Sequence, residues 1–156
     1  MKISIEDVKK LREKTGAGIA DCRRALEEAD GDFKKAEGFL KSRGVEIASK
    51  KKDRATGQGL VETYIHSGGK VGAMVEVNCE TDFVAKTDEF KNLAHEVAMQ
   101  IAAMDPKDVE ELSKPEYLRD SSKTIDDLVK EVVAKIGENI KISRFVRFEL
   151  GLNDHR

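Results

Sequence analysis

The chain has 156 residues, with 28 Lys and Arg against 30 Asp and Glu and a formal net charge of −2. That length suits one domain or one domain with a small satellite, and the balanced charge excludes a chain that holds nucleic acid by bulk attraction. No run of about 18 apolar residues is present to cross a membrane. The two cysteines, Cys22 and Cys79, are too few for a disulfide framework or a four-ligand zinc site, and the start from Met1 to Asp7 has no apolar signal region. A cytoplasmic, reducing environment is the expectation.

The first organised stretch, residues 1–45, reads as three short helices. Ser4 is placed to cap the first, with Asp7 three residues on, and Ile5, Val8 and Leu11 share a face. Thr15-Gly16-Ala17-Gly18 breaks it. Ile19, Cys22, Ala25, Leu26 and Ala29 mark the second helix. Asp32 caps a third, with Phe33, Ala36, Phe39 and Leu40 on one side and Gly44 as its expected stop. Residues 46–58 read as a linker with partial helical character, whose Lys50, Lys51, Lys52 and Arg54 could meet phosphate or an acidic partner but suit a solvated charged segment better.

A mixed core is expected over 59–152. Leu60–Ile65 and Val71–Val77 are β-rich and flank Gly68-Gly69, a hairpin signal. Val71, Ala73, Val75, Val77 and Cys79 alternate onto one face, so Cys79 is expected as a buried small apolar residue. After an exposed stretch at 80–86, a helix capped by Thr87 or Asp88 carries Phe90, Leu93, Ala94, Val97, Ala98 and Ile101. Residues 105–122 are acidic and poorly periodic, and are expected as a loop with one weak helix. A helix from Thr124 to Gly137 follows. The last strand has Ile140, Ile142, Arg144, Val146, Phe148 and Leu150 on one expected face. The order β-β-α-α-β, with helices on a three-stranded antiparallel sheet, is an α+β fold.

No catalytic constellation emerges. His66, His95 and His155 show no spacing that pairs them with either cysteine as a nucleophile. Glu80, Asp82, Asp88 and Glu89 place four carboxylates in one loop and helix start, but not in a calcium-loop pattern, and Asp88 and Glu89 are ordinary first-turn acids. Gly16-Ala17-Gly18 lacks the strand, lysine and hydroxyl of a phosphate-binding loop. The helix–turn–helix look of 19–43 is not clearly basic on its second helix. No cofactor and no metal are expected. Asp82-Phe83 stands out, as an aromatic next to a carboxylate in a loop after a strand. It suits an exposed anchor for a partner, and equally a Phe folded back under the following helix.

Three segments carry a resemblance. Val8–Glu27 (VKKLREKTGAGIADCRRALE) resembles the amino-terminal signature of translation elongation factor Ts. Glu76–Ala85 (EVNCETDFVA) resembles the second signature of that family, and Ile136–Ile140 with Arg144–Glu149 resembles its carboxy-terminal part. The resemblance implies a ubiquitin-associated-like three-helix module ahead of the core, and guanine nucleotide exchange on elongation factor Tu without side-chain catalysis. It assigns Thr81, Asp82, Phe83 and Val84 to the element that disturbs the partner's magnesium site. It assigns Leu11, Ile19, Ala20 and Arg23 to contacts of the amino-terminal module. Ile19-Ala20 stands where relatives commonly have two Met, so those contacts are expected to be smaller.

Relatives of the long form carry two core units and a helical insertion. This chain has one core and a short acidic segment, so it resembles the short form, and a homodimer through the sheet is the expectation. Direct nucleic-acid binding is not expected. A ubiquitin-associated-like adaptor, or RNA binding through Lys50-Lys51-Lys52, are the alternatives.

Overall fold

The computed structural model describes residues 2–152; His155 lies outside the described residues. The opening helices are set by their ends. α1 (Ile5–Thr15) begins with a reciprocal cap in which the Asp7 backbone N–H donates to Ser4 Oγ at 3.1 Å and the Ser4 N–H to Asp7 Oδ2 at 3.3 Å. The Ser4 hydroxyl also donates to Asp7 Oδ2 at 2.6 Å, and this bond, with that from the Ser4 N–H, holds the Asp7 carboxyl below its ordinary pKa. α2 (Ile19–Glu28) follows, and Asp32 caps α3 (Phe33–Lys51) by accepting from the Lys35 N–H at 3.0 Å. Val8, Leu11, Cys22, Ala25, Leu26, Ala29 and Ala36 bury one another as a small core of their own.

Gly44 does not stop α3, which runs seven residues further. The reason is tertiary. Gly44 faces Ala134, where a Cβ would make ordinary van der Waals contact with the Ala134 methyl at 3.5 Å. Packing there outweighs the modest helix penalty of glycine. Much of the expected linker is therefore helix. α3 also joins the two cores, with Ala36 in the small one and Ala48 in the large one.

The large core lies under a sheet of order β1-β2-β5, antiparallel throughout, formed by β1 (Gln58–Ile65), β2 (Val71–Cys79) and β5 (Lys141–Glu149). Gly68 and Gly69 both take positive φ, 92° and 70°, in the β1–β2 turn, which is why the pair stands there. A one-turn helix α4 (Asp82–Ala85) leads into α5 (Asp88–Met104), which crosses the inner face and buries Phe90, Leu93, Val97 and Ile101 against Val75 and Val77. α7 (Ile125–Ile136) packs on α3 and α5.

Two expectations are corrected. Residues 105–122 are more ordered than expected. They hold α6 (Val109–Ser113) and a two-stranded hairpin, β3 (Glu116–Tyr117) and β4 (Asp120–Thr124). Side chains of α5 tether this hairpin. Buried Gln100 donates to the Glu116 carbonyl at 2.9 Å and accepts from the Leu118 N–H at 3.0 Å. Glu96 Oε2 accepts from the Tyr117 hydroxyl at 2.5 Å and from Arg119 Nε at 2.6 Å. Burial and the Glu96 carboxylate push the Tyr117 phenol far above its ordinary pKa.

The second correction concerns the face of β5. The pairing of β2 with β5 shifts register, leaving Ser143 without a partner between Ile142 and Arg144. This bulge reverses the alternation. Ile140 and Ile142 point into the core, as do Phe145 and the largely buried Arg147. Arg144, Val146 and Phe148 face out. The outer face of the sheet thus carries Val61, Ile65, Met74, Val146 and Phe148, the last 73% exposed.

Both thiols are buried and free, and burial raises their pKa. Cys22 and Cys79 should therefore react with a thiol reagent only at the rate of chain opening, and at the free-thiol rate in denaturant. The sign for stability follows. The folded thiols hold their protons to higher pH than unfolded ones, so stability should be full below about pH 8.5 and decline above it, which urea midpoints across alkaline pH would read.

Candidate partner-binding element and its support

β2 ends at Cys79, and the chain turns at once into α4. Thr81 caps that helix by accepting from the Val84 N–H at 3.3 Å, and Thr87 caps α5 by accepting from the Phe90 N–H at 3.3 Å. Between the caps, Val84 packs on the core and Ala85 is buried. Phe83 points the other way and is 87% exposed, the largest exposure of any apolar side chain among the described residues. The folded-back alternative is excluded. Asp82 is exposed beside it, paired with Lys86 at 2.6 Å across one turn. Asp82 and Phe83 thus stand side by side in water on a one-turn helix capped by Thr81, with the whole Phe83 ring available for contact.

Residues singled out on the amino-terminal module divide. Ile19 is 59% exposed and Ala20 is exposed at the start of α2. Arg23 is exposed on the same helix and paired with Glu27 at 3.0 Å. Leu11 is 0% exposed, wholly within the small core, so its side chain supports that surface without forming it. Lys135, near the end of α7, reaches both neighbourhoods. Its Nζ lies 3.6 Å from where a Cβ on Gly16 would stand, and pairs with Glu89 of α5 at 2.9 Å. The start of α2 and the start of α5 thus lie to the same side of α7.

Beneath Asp82 and Phe83 is a polar junction that the sequence did not reveal. Glu138 accepts twice from Thr81, Oε1 from the backbone N–H at 3.0 Å and Oε2 from the hydroxyl at 2.7 Å. Next to it, the Asn139 N–H donates to Glu80 Oε1 at 2.9 Å. Buried Asn139 Nδ2 donates to the carbonyls of Lys52 at 3.2 Å and Arg54 at 2.8 Å. Lys51 Nζ donates to the Gly137 carbonyl at 2.7 Å, and Arg54 pairs with Glu80 at 3.7 Å. The end of α3, the end of β2 and the turn between α7 and β5 meet here. The only hint was polar Glu138-Asn139 set between a glycine helix stop and apolar Ile140.

Three of the four carboxylates of 80–89 are engaged with protein groups: Glu80 with Asn139 and Arg54, Asp82 with Lys86, Glu89 with Lys135. No group of three His, Cys, Asp or Glu side chains among the described residues is placed to hold a metal ion. His66 accepts from or donates to the Tyr64 hydroxyl at 3.0 Å, apart from either cysteine. In the basic run, Lys50 pairs with Glu46 at 3.1 Å and Lys51 donates to the Gly137 carbonyl, so two of the three lysines have protein partners. Among the described residues no helix is long and apolar enough to cross a membrane.

Replacing Asn139 by Ala removes both donors to the Lys52 and Arg54 carbonyls. Urea unfolding of N139A should show a loss of about 1 kcal/mol, the net worth of bonds to two part-buried acceptors.

The family model described as Elongation factor TS matches residues 80–155, which begin at the residue before Thr81. Elongation factor Ts of Thermoanaerobacter sp. (strain X514) is 44% identical over an aligned span of 194 residues, covering 96% of this chain and 95% of that protein. Elongation factor Ts of Thermotoga neapolitana is 40% identical, with 97% and 98% covered, and that of Coprothermobacter proteolyticus 44% identical, with 97% and 100% covered. The aligned spans exceed the chain's own 156 residues, so these relatives carry residues that it lacks. With likeness at this level along nearly the whole chain, the protein belongs to the elongation factor Ts family of translation elongation factors.

Proposed function

We propose that the chain is a guanine nucleotide exchange factor for elongation factor Tu, acting by binding alone. The observation that carries this is the near-complete exposure of Phe83 beside Asp82, on a helix whose base is locked to the core. Phe83 is the wedge that enters the GTPase near its magnesium and phosphate site, and Asp82 brings a negative charge and hydrogen-bond acceptors to the same place. Thr81 and Val84 hold the element from beneath, through the cap and the core. Ile19, Ala20 and Arg23 of the module at 1–45 grip the partner's nucleotide domain, with Leu11 supporting them from inside. Residues 46–58 join that module to the exchange core at 59–152.

The chemistry asks for no nucleophile or general base. A factor that binds the nucleotide-free GTPase better than the loaded one must weaken nucleotide binding by the same coupling free energy. Differential contact with two states is sufficient. The site of action is the cytoplasm, where the translational GTPase works.

The reading includes a homodimer through the outer face of the sheet. Val61, Ile65, Met74, Val146 and Phe148 form an apolar band there, next to Glu76 and Arg144, paired at 3.3 Å. A face that carries both signs beside an apolar band is self-complementary under a two-fold axis. A second copy is its occupant.

Release of a fluorescent GDP analogue from elongation factor Tu should accelerate with the concentration of this protein. Phe83→Ala should lower the exchange efficiency by about ten- to thirty-fold, the cost of truncating a hot-spot aromatic, with an unchanged urea midpoint. Unchanged exchange by a folded Asp82→Ala, Phe83→Ala double variant would sink the wedge. Sedimentation should give a dimer mass for the native chain and a shift toward monomer for Phe148→Glu; a native monomer at all concentrations would remove the dimer from the reading.

A further inference from the structure

The Ile136-Gly137-Glu138-Asn139-Ile140 segment takes no part in the function as proposed above, yet Glu138 spends its whole carboxylate on one residue of the exchange element. We propose that Glu138 is a positioning residue that sets the direction of Phe83 through Thr81. This rests on the exchange reading for its biological meaning, though not for its structural test.

The geometry leaves little slack. Glu138 holds both the backbone N–H and the hydroxyl of Thr81, at 3.0 and 2.7 Å. Because the Thr81 hydroxyl gives its proton to Glu138, its lone pairs are turned to the Val84 N–H, which caps α4 at 3.3 Å. The Thr81 carbonyl is held as well, accepting from the Cys79 thiol at 3.2 Å and from the Ala85 N–H at 3.3 Å. Thr81 is thus fixed at its N–H, its side chain and its carbonyl. α4 is four residues long, one turn, and a single turn has no stability of its own. Where it points is decided by how Thr81 is held.

Glu138 is in turn placed from outside the element. Gly137 closes α7 in a left-handed conformation, φ 77°, and its carbonyl is tied to Lys51 at the end of α3. Asn139 on the other side is bound to Glu80 and to the segment leaving α3. Two charge-assisted bonds from a carboxylate so anchored are stronger and more directional than neutral ones. Loss of Glu138 would leave Val84 and Ala85 packed but free Thr81, and with it the register of Asp82 and Phe83.

The chain contains no tryptophan, so Phe83→Trp places a single fluorescent reporter at an exposed site. In the free, full-length protein, adding Glu138→Ala should lower the tryptophan anisotropy well below that of Phe83→Trp alone, while far-ultraviolet circular dichroism stays the same. Thr81→Val, which deletes the hydroxyl but keeps the shape, should move the anisotropy in the same direction. Unchanged anisotropy in both folded variants would overturn the proposal. If Glu138→Ala does not fold, Thr81→Val decides alone. The second arm is a double-variant cycle in the GDP-release assay. Glu138→Ala should slow exchange by about tenfold in the native background and add nothing when Asp82 and Phe83 are both already Ala. Additive effects would assign Glu138 a separate role and overturn the proposal. Absence of any acceleration by the native chain would instead overturn the exchange function, and the anisotropy arm would still decide the positioning role.

Discussion

A helix end, a strand end and a helix-to-strand turn each leave backbone groups with no partner in their own element, and such groups cannot be buried unpaired. In this protein three such ends meet in a part-buried junction, and Glu80, Glu138 and Asn139 pair them. The rest of the arrangement depends on that junction. It fixes where α3 leaves the module, where β2 hands over to α4, and where β5 begins. The exposed Asp82-Phe83 element is built directly on it. The exposed pair is therefore held by part-buried polar bonds instead of by a long loop, while its side chains remain in water.

The sheet divides the molecule by a single irregularity. Before the bulge at Ser143, β5 sends its isoleucines inward; after it, Phe145 and Arg147 take the inner positions and Val146 and Phe148 the outer ones. Arg147 can sit inside because its guanidinium donates to the Ala102 carbonyl at 3.0 Å at the end of α5 and pairs with Glu149 at 3.2 Å. A charged side chain thereby seals one end of the core with its stem and satisfies a helix terminus with its head. The same phase change creates the apolar outer band. Core closure and surface character on this strand are one decision made by one residue.

Features with a local cause were legible in the sequence. Ser4 with Asp7 and Asp32 cap the helices expected of them, Thr87 is the one of its two candidates that caps α5, and Gly68-Gly69 makes the expected hairpin turn. Features with a distant cause were not. Gly44 reads as a stop because its partner, Ala134, is invisible until the helices cross. The β3–β4 hairpin is polar and aperiodic, and exists because Gln100 and Glu96 hold it from another helix. The bulge defeats a face assignment that assumes an unbroken period of two. At the site, the oddity of an aromatic beside a carboxylate after a strand drew attention to Asp82-Phe83, although local pattern could not say whether Phe83 pointed in or out. Leu11 matched a family contact position but packs inside. Glu138 lies 57 residues from Thr81, and no local rule pairs residues so far apart.

The 19 residues of α3 form one rigid rod, about 28 Å long, with one end in each core. The angle between the module and the sheet is consequently written in helical phase. One residue inserted between Ala36 and Ala48 would turn the small core by about 100° around the rod and carry Ile19 away from the side on which Phe83 stands, whereas seven residues would almost restore the angle while moving the module about 10 Å outward. Length in this segment is constrained in steps, as it is in a gear train, while the surface residues along it remain free to vary.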